Sequence, residues 1–193
     1  MDTLLRSQAP RTTADDTADA ALAGRAMRDA EAFTTLYRAY ALDVYHYCYR
    51  RLGNREAAED ATSQIFINAY TGLHRLGKKP FRPWLFAIAR NVVVDTHRSR
   101  RSWFPLDETF DREDNGPSPE TIAIDLEQRD TVQQLLRQLP TRDREVVELR
   151  LAGLTGAEIA QTLNCSREAV RSAHYRAMQR IREFVTEEGV IEP

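Results

Sequence analysis

The segment TGAEIAQTLNCSREAVRSAHYRAMQRIRE, residues 155–183, constrains the fold more than any other part of the chain. Thr155 is placed to cap a helix, with Glu158 three residues on as the reciprocal partner of a capping box. Ile159 and Leu163 face inward, and Ala160 is small where two helices have to cross closely. Asn164 falls at the turn, where left-handed backbone is needed and asparagine is the best residue after glycine. Ser166 caps a second helix, in which Val170, Ala173, Ala177 and Ile181 recur at steps of three and four. The opposite face carries Arg167, Arg171, Ser172, Tyr175, Arg176 and Arg180. A helix that is apolar on one side and Arg/Ser/Tyr on the other suits a DNA major groove. A helical hairpin with a solvated arginine face is the bland alternative. The order cap, small residue, turn, cap weighs against it.

The rest of the chain is also helical in its periodicity. Phe33, Leu36, Tyr37, Tyr40, Val44, Cys48 and Leu52 place one apolar stripe on one helix. Gly53-Asn54 stops it, since both tolerate positive φ. A second helix starts near Glu56, with Glu56, Glu59 and Asp60 in its first turns, where the macrodipole favours acids. Its apolar positions are Ala61, Ile65, Phe66, Ala69, Tyr70 and Leu73. Gly77-Lys78-Lys79-Pro80 is a loop, and a third helix starts near Pro83 and ends in RSRRS. Residues 103–121 hold Pro105, Gly116, Pro117 and Pro119 behind five acids, which is linker composition. Helical spacing resumes near Ile122 and runs to Leu139; Thr141 is placed to cap the helix after it. No stretch alternates as a strand does. The expected fold is all-α, two small helical domains joined by a flexible acidic linker. The boundaries read as a disordered start at 1–24, a first domain at 25–102, a linker at 103–125, a second domain at 126–188 and a tail at 189–193.

Net charge is only −2, which argues against a simple basic nucleic-acid binder, but the charge is segregated. Residues 75–101 hold eight Lys and Arg against Asp95, residues 107–130 hold nine acids against Arg112 and Arg129, and residues 150–182 hold six arginines against Glu158 and Glu168. Two basic blocks around an acidic bridge point to two polyanion-facing surfaces. No apolar run reaches the roughly 18 residues of a membrane span, and the start of the chain lacks the apolar core of a secretory signal. A cytoplasmic protein without membrane insertion is the expectation. The two cysteines, Cys48 and Cys165, are too few for a disulfide framework or a zinc site. His46 and Cys48 stand two apart, on different faces of one helix. Glu59 and Asp60 diverge on theirs, so no catalytic or metal constellation forms; an enzyme and a bound cofactor are not expected.

The third helix, FRPWLFAIARNVVVDTHRSRRS, differs from an ordinary basic amphipath. Asn91, Asp95 and Arg98 fall three or four apart, with Arg90 next to Asn91, mixing hydrogen-bonding groups with charge on one face. Asn and Asp can address base edges while Arg neutralises phosphates. Trp84 lies on the apolar stripe and reads as core.

With these motifs in order, the chain resembles the extracytoplasmic-function (group 4) sigma factors of bacterial RNA polymerase, in the sigma-70 family. The stretches AFTTLYRAYALDVYHYCYRRLGNREAAEDATSQIFINAYTGLHRL, PFRPWLFAIARNVVVDTHRSRR and LRQLPTRDREVVELRLAGLTGAEIAQTLNCSREAVRSAHYRAMQRIRE carry the likeness, over roughly residues 30–101 and 126–184. The resemblance implies a region 2 domain that binds the polymerase clamp helices and reads the −10 element, and a region 4 domain that binds the flap and reads the −35 element. It puts Glu59, Asp60 and Gln64 at the clamp. It puts Lys78, Lys79, Arg82, Arg90, Asn91, Asp95 and Arg98 at the −10 element, with the 77–82 loop where a flipped base is pocketed. Ser166, Arg167, Arg171, Ser172, Tyr175 and Arg176 fall at the −35 element. Core RNA polymerase and promoter DNA are the implied partners, and an anti-sigma factor is a further one. Glu168-Ala169 and Ala173-His174 depart from the family pattern on the recognition helix, which bears on the −35 sequence read. The competing assignment is a stand-alone helix-turn-helix regulator. Against it, the first domain carries a second basic helix where a regulator would carry a ligand pocket or a dimerisation helix.

Overall fold

The computed structural model describes residues 13–103 and 134–187, and every α or 3₁₀ element among them is helical, with no strand. The order is α1 (Thr13–Ala26), α2 (Ala30–Leu52), α3 (Arg55–Gly72), a 3₁₀ turn (Leu73–Arg75), α4 (Phe81–Trp103), α5 (described over 134–138), α6 (Thr141–Leu151), α7 (Gly156–Thr162) and α8 (Arg167–Glu187). Apart from Trp103, the 103–125 linker lies outside the described residues, as do the 189–193 tail and the helical onset expected at Ile122.

The α2–α4 boundaries follow from local chemistry. Asp29 caps α2 by accepting from the Glu31 and Ala32 amides. Gly53, at φ 68°, closes that helix, with its N–H on the Tyr49 carbonyl. Asn54 then caps α3 by accepting from the Ala57 amide at 2.8 Å. The three helices bury Leu36, Tyr40, Val44, Tyr47 and Cys48 of α2 against Ile65 and Phe66 of α3 and Phe81, Leu85, Phe86 and Val93 of α4. Tyr47 meets Phe86 edge-on at 5.7 Å. Burial pushes the Cys48 thiol up to about 12, as expected of an inert core cysteine. Trp84 packs half-buried on Phe81 and over Gly72, where an added Cβ would lie 3.4 Å from the indole.

Two expectations are corrected. The first 24 residues do not all lack structure, because α1 occupies 13–26 and docks on α2. Its sequence offers almost no large apolar side chain, so no stripe betrayed it. It docks instead through Ala23 and Ala26, small enough for close backbone approach, and through Asp19, buried where it accepts a hydrogen bond from the Tyr40 hydroxyl. Residues 1–12 lie outside the described part. Thr141 is the first residue of α6 and not its cap; Pro140 holds that position without a side-chain hydrogen bond.

The second module has two contacts. Leu136, Leu139, Val147 and Ala177 form a small cluster of its own with Met178 and Ile181. Val146, Leu149, Leu154, Ile159, Ala160, Leu163, Val170 and Ala173 join a core continuous with that of the first module. The two modules therefore pack directly, α6 on α2 and α7 on α4.

Removing the Tyr40 hydroxyl (Tyr40→Phe) takes one buried donor from Asp19, at a cost of about 1–3 kcal/mol. A lower melting temperature and earlier proteolysis within α1 are expected; unchanged cleavage would mean that this hydrogen bond does not hold α1.

Candidate nucleic-acid interface

The helix-turn-helix forms as its sequence predicts. Thr155 accepts from the Glu158 amide at 3.3 Å, and the Glu158 carboxylate accepts from the Thr155 amide at 2.7 Å, completing the capping box. Asn164 sits at φ 49°, the one non-glycine positive φ among the described residues. Ser166 accepts from the Ala169 amide at 3.1 Å. Val170, Ala173 and Ala177 are buried, while Ser166, Arg167, Arg171, Ser172 and Tyr175 are exposed along one face of α8. Tyr175 is 64% exposed and accepts from the Gln179 amide group. Cys165 is half-buried against the core.

Arg176 stands apart from its neighbours on that face. Its Nη2 lies 2.6 Å and its Nε 3.2 Å from the two oxygens of buried Asp143 on α6. That fork-to-carboxylate pair fixes the pitch of α8 against α6 and keeps the guanidinium firmly protonated. Arg176 thus braces α8 against α6, while Arg171 on the same helix is exposed.

On the first module, Glu59, Asp60 and Gln64 are exposed on α3. Glu59 pairs with Arg55 at 2.9 Å, a solvated contact one turn apart. Gln64 and Asn68 share a 2.8 Å hydrogen bond and line, with Val92, Asp95, Thr96 and Ser99, an open groove of about 450 Å³ between α3 and α4. The groove brings a residue assigned to the clamp and one assigned to the −10 element within a few ångströms of common space. Asn91, Asp95 and Arg98 project from α4 into solvent. Arg98 lies 3.9 Å from Asp95, and both are more than 70% exposed, so the pair does little to fix either side chain. Lys78 and Lys79 are exposed on the turn that Gly77 makes at φ 59°.

Arg82 and Arg90 are placed differently. Arg82 is 3% exposed; its Nη2 donates to the Ala152 carbonyl at 2.9 Å and its Nη1 lies 3.6 Å from Glu158. Arg90 donates from Nε to Glu145 at 2.8 Å. Arg51, at the end of α2, completes the set with a 2.7 Å contact from Nη1 to Glu148. Three arginines of the first module thus meet three acids of α6 and α7. The sequence reading missed Glu145, Glu148 and Arg51. Arg142 and Arg150 take exposed positions of α6, and in TRDREVVELR the acids Asp143, Glu145 and Glu148 interleave with Val146, Val147 and Leu149. All six are buried.

The described residues hold no group of His, Cys, Asp or Glu arranged for a metal ion, and no helix long and apolar enough to cross a membrane.

Comparison with known proteins agrees with this geometry. Residues 36–103 match the model of Sigma-70 region 2, and residues 129–181 that of Sigma-70, region 4. The chain is 33% identical over 171 residues to the ECF RNA polymerase sigma factor BldN of Streptomyces coelicolor, covering 83% of this chain and 63% of that protein. It is 30% identical to the ECF RNA polymerase sigma factor SigW of Bacillus subtilis over 167 residues, 80% of this chain and 89% of that one. The chain thus spans less than two thirds of BldN but most of SigW. Among solved structures, CnrH in its complex with the cytosolic domain of CnrY has the same fold, with a TM-score of 0.72 at 24% identity, over 89% of this chain and 99% of that one.

Two substitutions at Asn164 test the turn. Valine, for which left-handed backbone costs about 1–2 kcal/mol, should lower the melting temperature, and glycine should be close to neutral. Equal losses would show that the side chain and not the backbone angle matters. With both modules matched in order, the chain belongs to the sigma-70 family, as an extracytoplasmic-function RNA polymerase sigma factor.

Proposed function

We propose that the chain directs promoter-specific initiation by binding core RNA polymerase, reading the −10 element with α4 and the preceding loop and the −35 element with α8. The observation that carries this is the pairing, in one chain, of two family-matched modules that each present an outward helix face of hydrogen-bonding and cationic side chains. A stand-alone regulator needs only the second. Within this reading, Glu59, Asp60 and Gln64 face the clamp, where acids near a helix start cannot approach DNA phosphates favourably. Lys78, Lys79 and Arg98 supply phosphate contacts, and Asn91 and Asp95 address unstacked bases of the opened −10 element. Ser166, Arg167, Arg171, Ser172 and Tyr175 face the −35 groove, with Arg176 as the brace of their helix. CnrH is held by the cytosolic domain of CnrY; an anti-sigma partner of that kind fits this chain also. The protein acts in the cytoplasm as an initiation factor, with chemistry left to the polymerase and no cofactor of its own.

Transcription reconstituted with core polymerase on a randomised promoter library tests the assignment. Asn91→Ala and Asp95→Ala should change the preferred −10 bases and leave the −35 preference intact. An unchanged −10 preference in both would remove α4 from the reading surface. Arg171→Ala should cost about 1–3 kcal/mol of binding and relax the −35 preference with no loss of melting temperature. Arg176→Ala should instead lower the melting temperature, because it strands buried Asp143. Reversing the charges of Glu59 and Asp60 should weaken assembly with polymerase; DNA recognition failing while assembly survives would contradict the clamp assignment.

A further inference from the structure

The ion pairs between the two modules have an arrangement that neither module needs for its own fold. Arg51, Arg82 and Arg90 come from three places in the first module, the end of α2, the start of α4 and the middle of α4. They converge on Glu148, Glu158 and Glu145, which lie along α6 and α7. Arg50 adds a fourth cation: its Nε and Nη2 are buried with no hydrogen-bond partner among the described residues, as are Nε and Nη1 of Arg82. The Arg50 guanidinium is close enough to Glu148 and Asp43 to feel their charges, while burial lowers its pKa. Among the described residues the arginines therefore keep donors that the three carboxylates do not satisfy. Guanidinium forks are built for planar oxyanions, and a surface with spare forks is matched better by a string of phosphates than by three carboxylates. Glu158 is held in place independently of these arginines, by its capping box. Gly153 leaves the room: a Cβ there would lie 2.8 Å from Nη2 of Arg82.

We propose that Arg51, Arg82 and Arg90, with Arg50, form a phosphate-binding surface for the backbone of promoter DNA, and that the acidic edge Glu145–Glu148–Glu158 of the second module covers it in the closed chain as a phosphate mimic. The two occupants exclude one another, so DNA reaches these arginines only when the modules separate. Arg82 and Arg90 rest on the −10 reading given above; Arg50 and Arg51 extend that surface onto α2, outside it.

The test uses the full chain with Glu145→Gln, Glu148→Gln and Glu158→Gln combined. Glutamine keeps the shape and the capping box but gives up the charge. The triple variant should show a larger radius of gyration by X-ray scattering. It should bind a fluorescent promoter duplex about tenfold more tightly than wild type, because a larger fraction is open. Its affinity should also fall more steeply with salt, by about 0.9 in log–log slope for each phosphate gained. Adding Arg51→Ala and Arg50→Ala should lower that gain by about 0.9 for each arginine removed, while the chain stays open. Should the triple variant not fold, the exchange Arg51→Glu with Glu148→Arg restores a pair of opposite sense: it should fold closed and, opened by Glu145→Gln and Glu158→Gln, gain less salt slope than the triple variant predicts. A triple variant as compact as wild type would overturn the cover. An open variant with no gain in DNA binding, or one whose gain in slope is undiminished by loss of Arg50 and Arg51, would overturn the phosphate surface. Transcription by the wild-type holoenzyme on the promoter library judges the −10 reading separately, since it does not depend on what covers the arginines in the free chain.

Discussion

Glu148 and Arg51 meet at 2.7 Å with side chains 2% and 6% exposed, and the packing of the two modules turns on that contact. Burial pushes the Glu148 carboxyl up, and Arg51 pulls it back toward ionisation. A buried pair of this kind contributes little net stability, since attraction repays the loss of hydration and not much more. Removing one partner, by contrast, leaves a stranded charge worth about 3–5 kcal/mol. The contact is therefore a device of specificity. It permits one docking of α6 on α2, with Glu145 opposite Arg90 and Glu158 opposite Arg82, and penalises every shifted one. It is also reversible, because separation returns both charges to water at modest cost. The apolar contribution around it comes from Val146, Leu149 and Leu154, which the same docking buries.

Much of the fold was legible in the sequence because its information is local. Helix α2 announces itself through apolar residues at steps of three and four, and its end through Gly53 at positive φ. The turn of the second module follows from Thr155, Asn164 and Ser166, each acting on backbone within four residues of itself. What stayed hidden depends on residues far apart. Helix α1 docks through alanines and one buried aspartate, a face that carries no hydrophobic stripe, and its partner Tyr40 lies 21 positions away. Nothing in the sequence marks the α6 acids as buried, since Glu is mostly exposed in folded proteins. Their partners are 55 and 97 positions away, and no periodicity reports a contact of that range.

The candidate interface divides in the same way. Side chains that the sequence assigned by helix face, such as Arg171, Tyr175, Asn91 and Asp95, are where that assignment put them, outward and exposed. Other arginines of the same faces, and Arg82 assigned through the resemblance, turn inward. Arg176 belongs to Asp143, Arg90 to Glu145, and Arg82 to the Ala152 carbonyl. An arginine is long enough to choose between a ligand and a neighbour, so its role is set by the three-dimensional supply of carboxylates. Family membership names the job of each module; the carboxylates decide when the first module's arginines are free to do it.

Distance between the modules tests this account most directly. Spin labels at exposed Arg38 on α2 and exposed Gln161 on α7, in a chain with Cys165 replaced by serine, report it by pulsed electron resonance. The free chain should give one short, narrow distance, and the chain bound to core RNA polymerase a longer one. The same short distance in both states would contradict the account, because the arginines of the first module would then stay covered by the second while the holoenzyme reads its promoter.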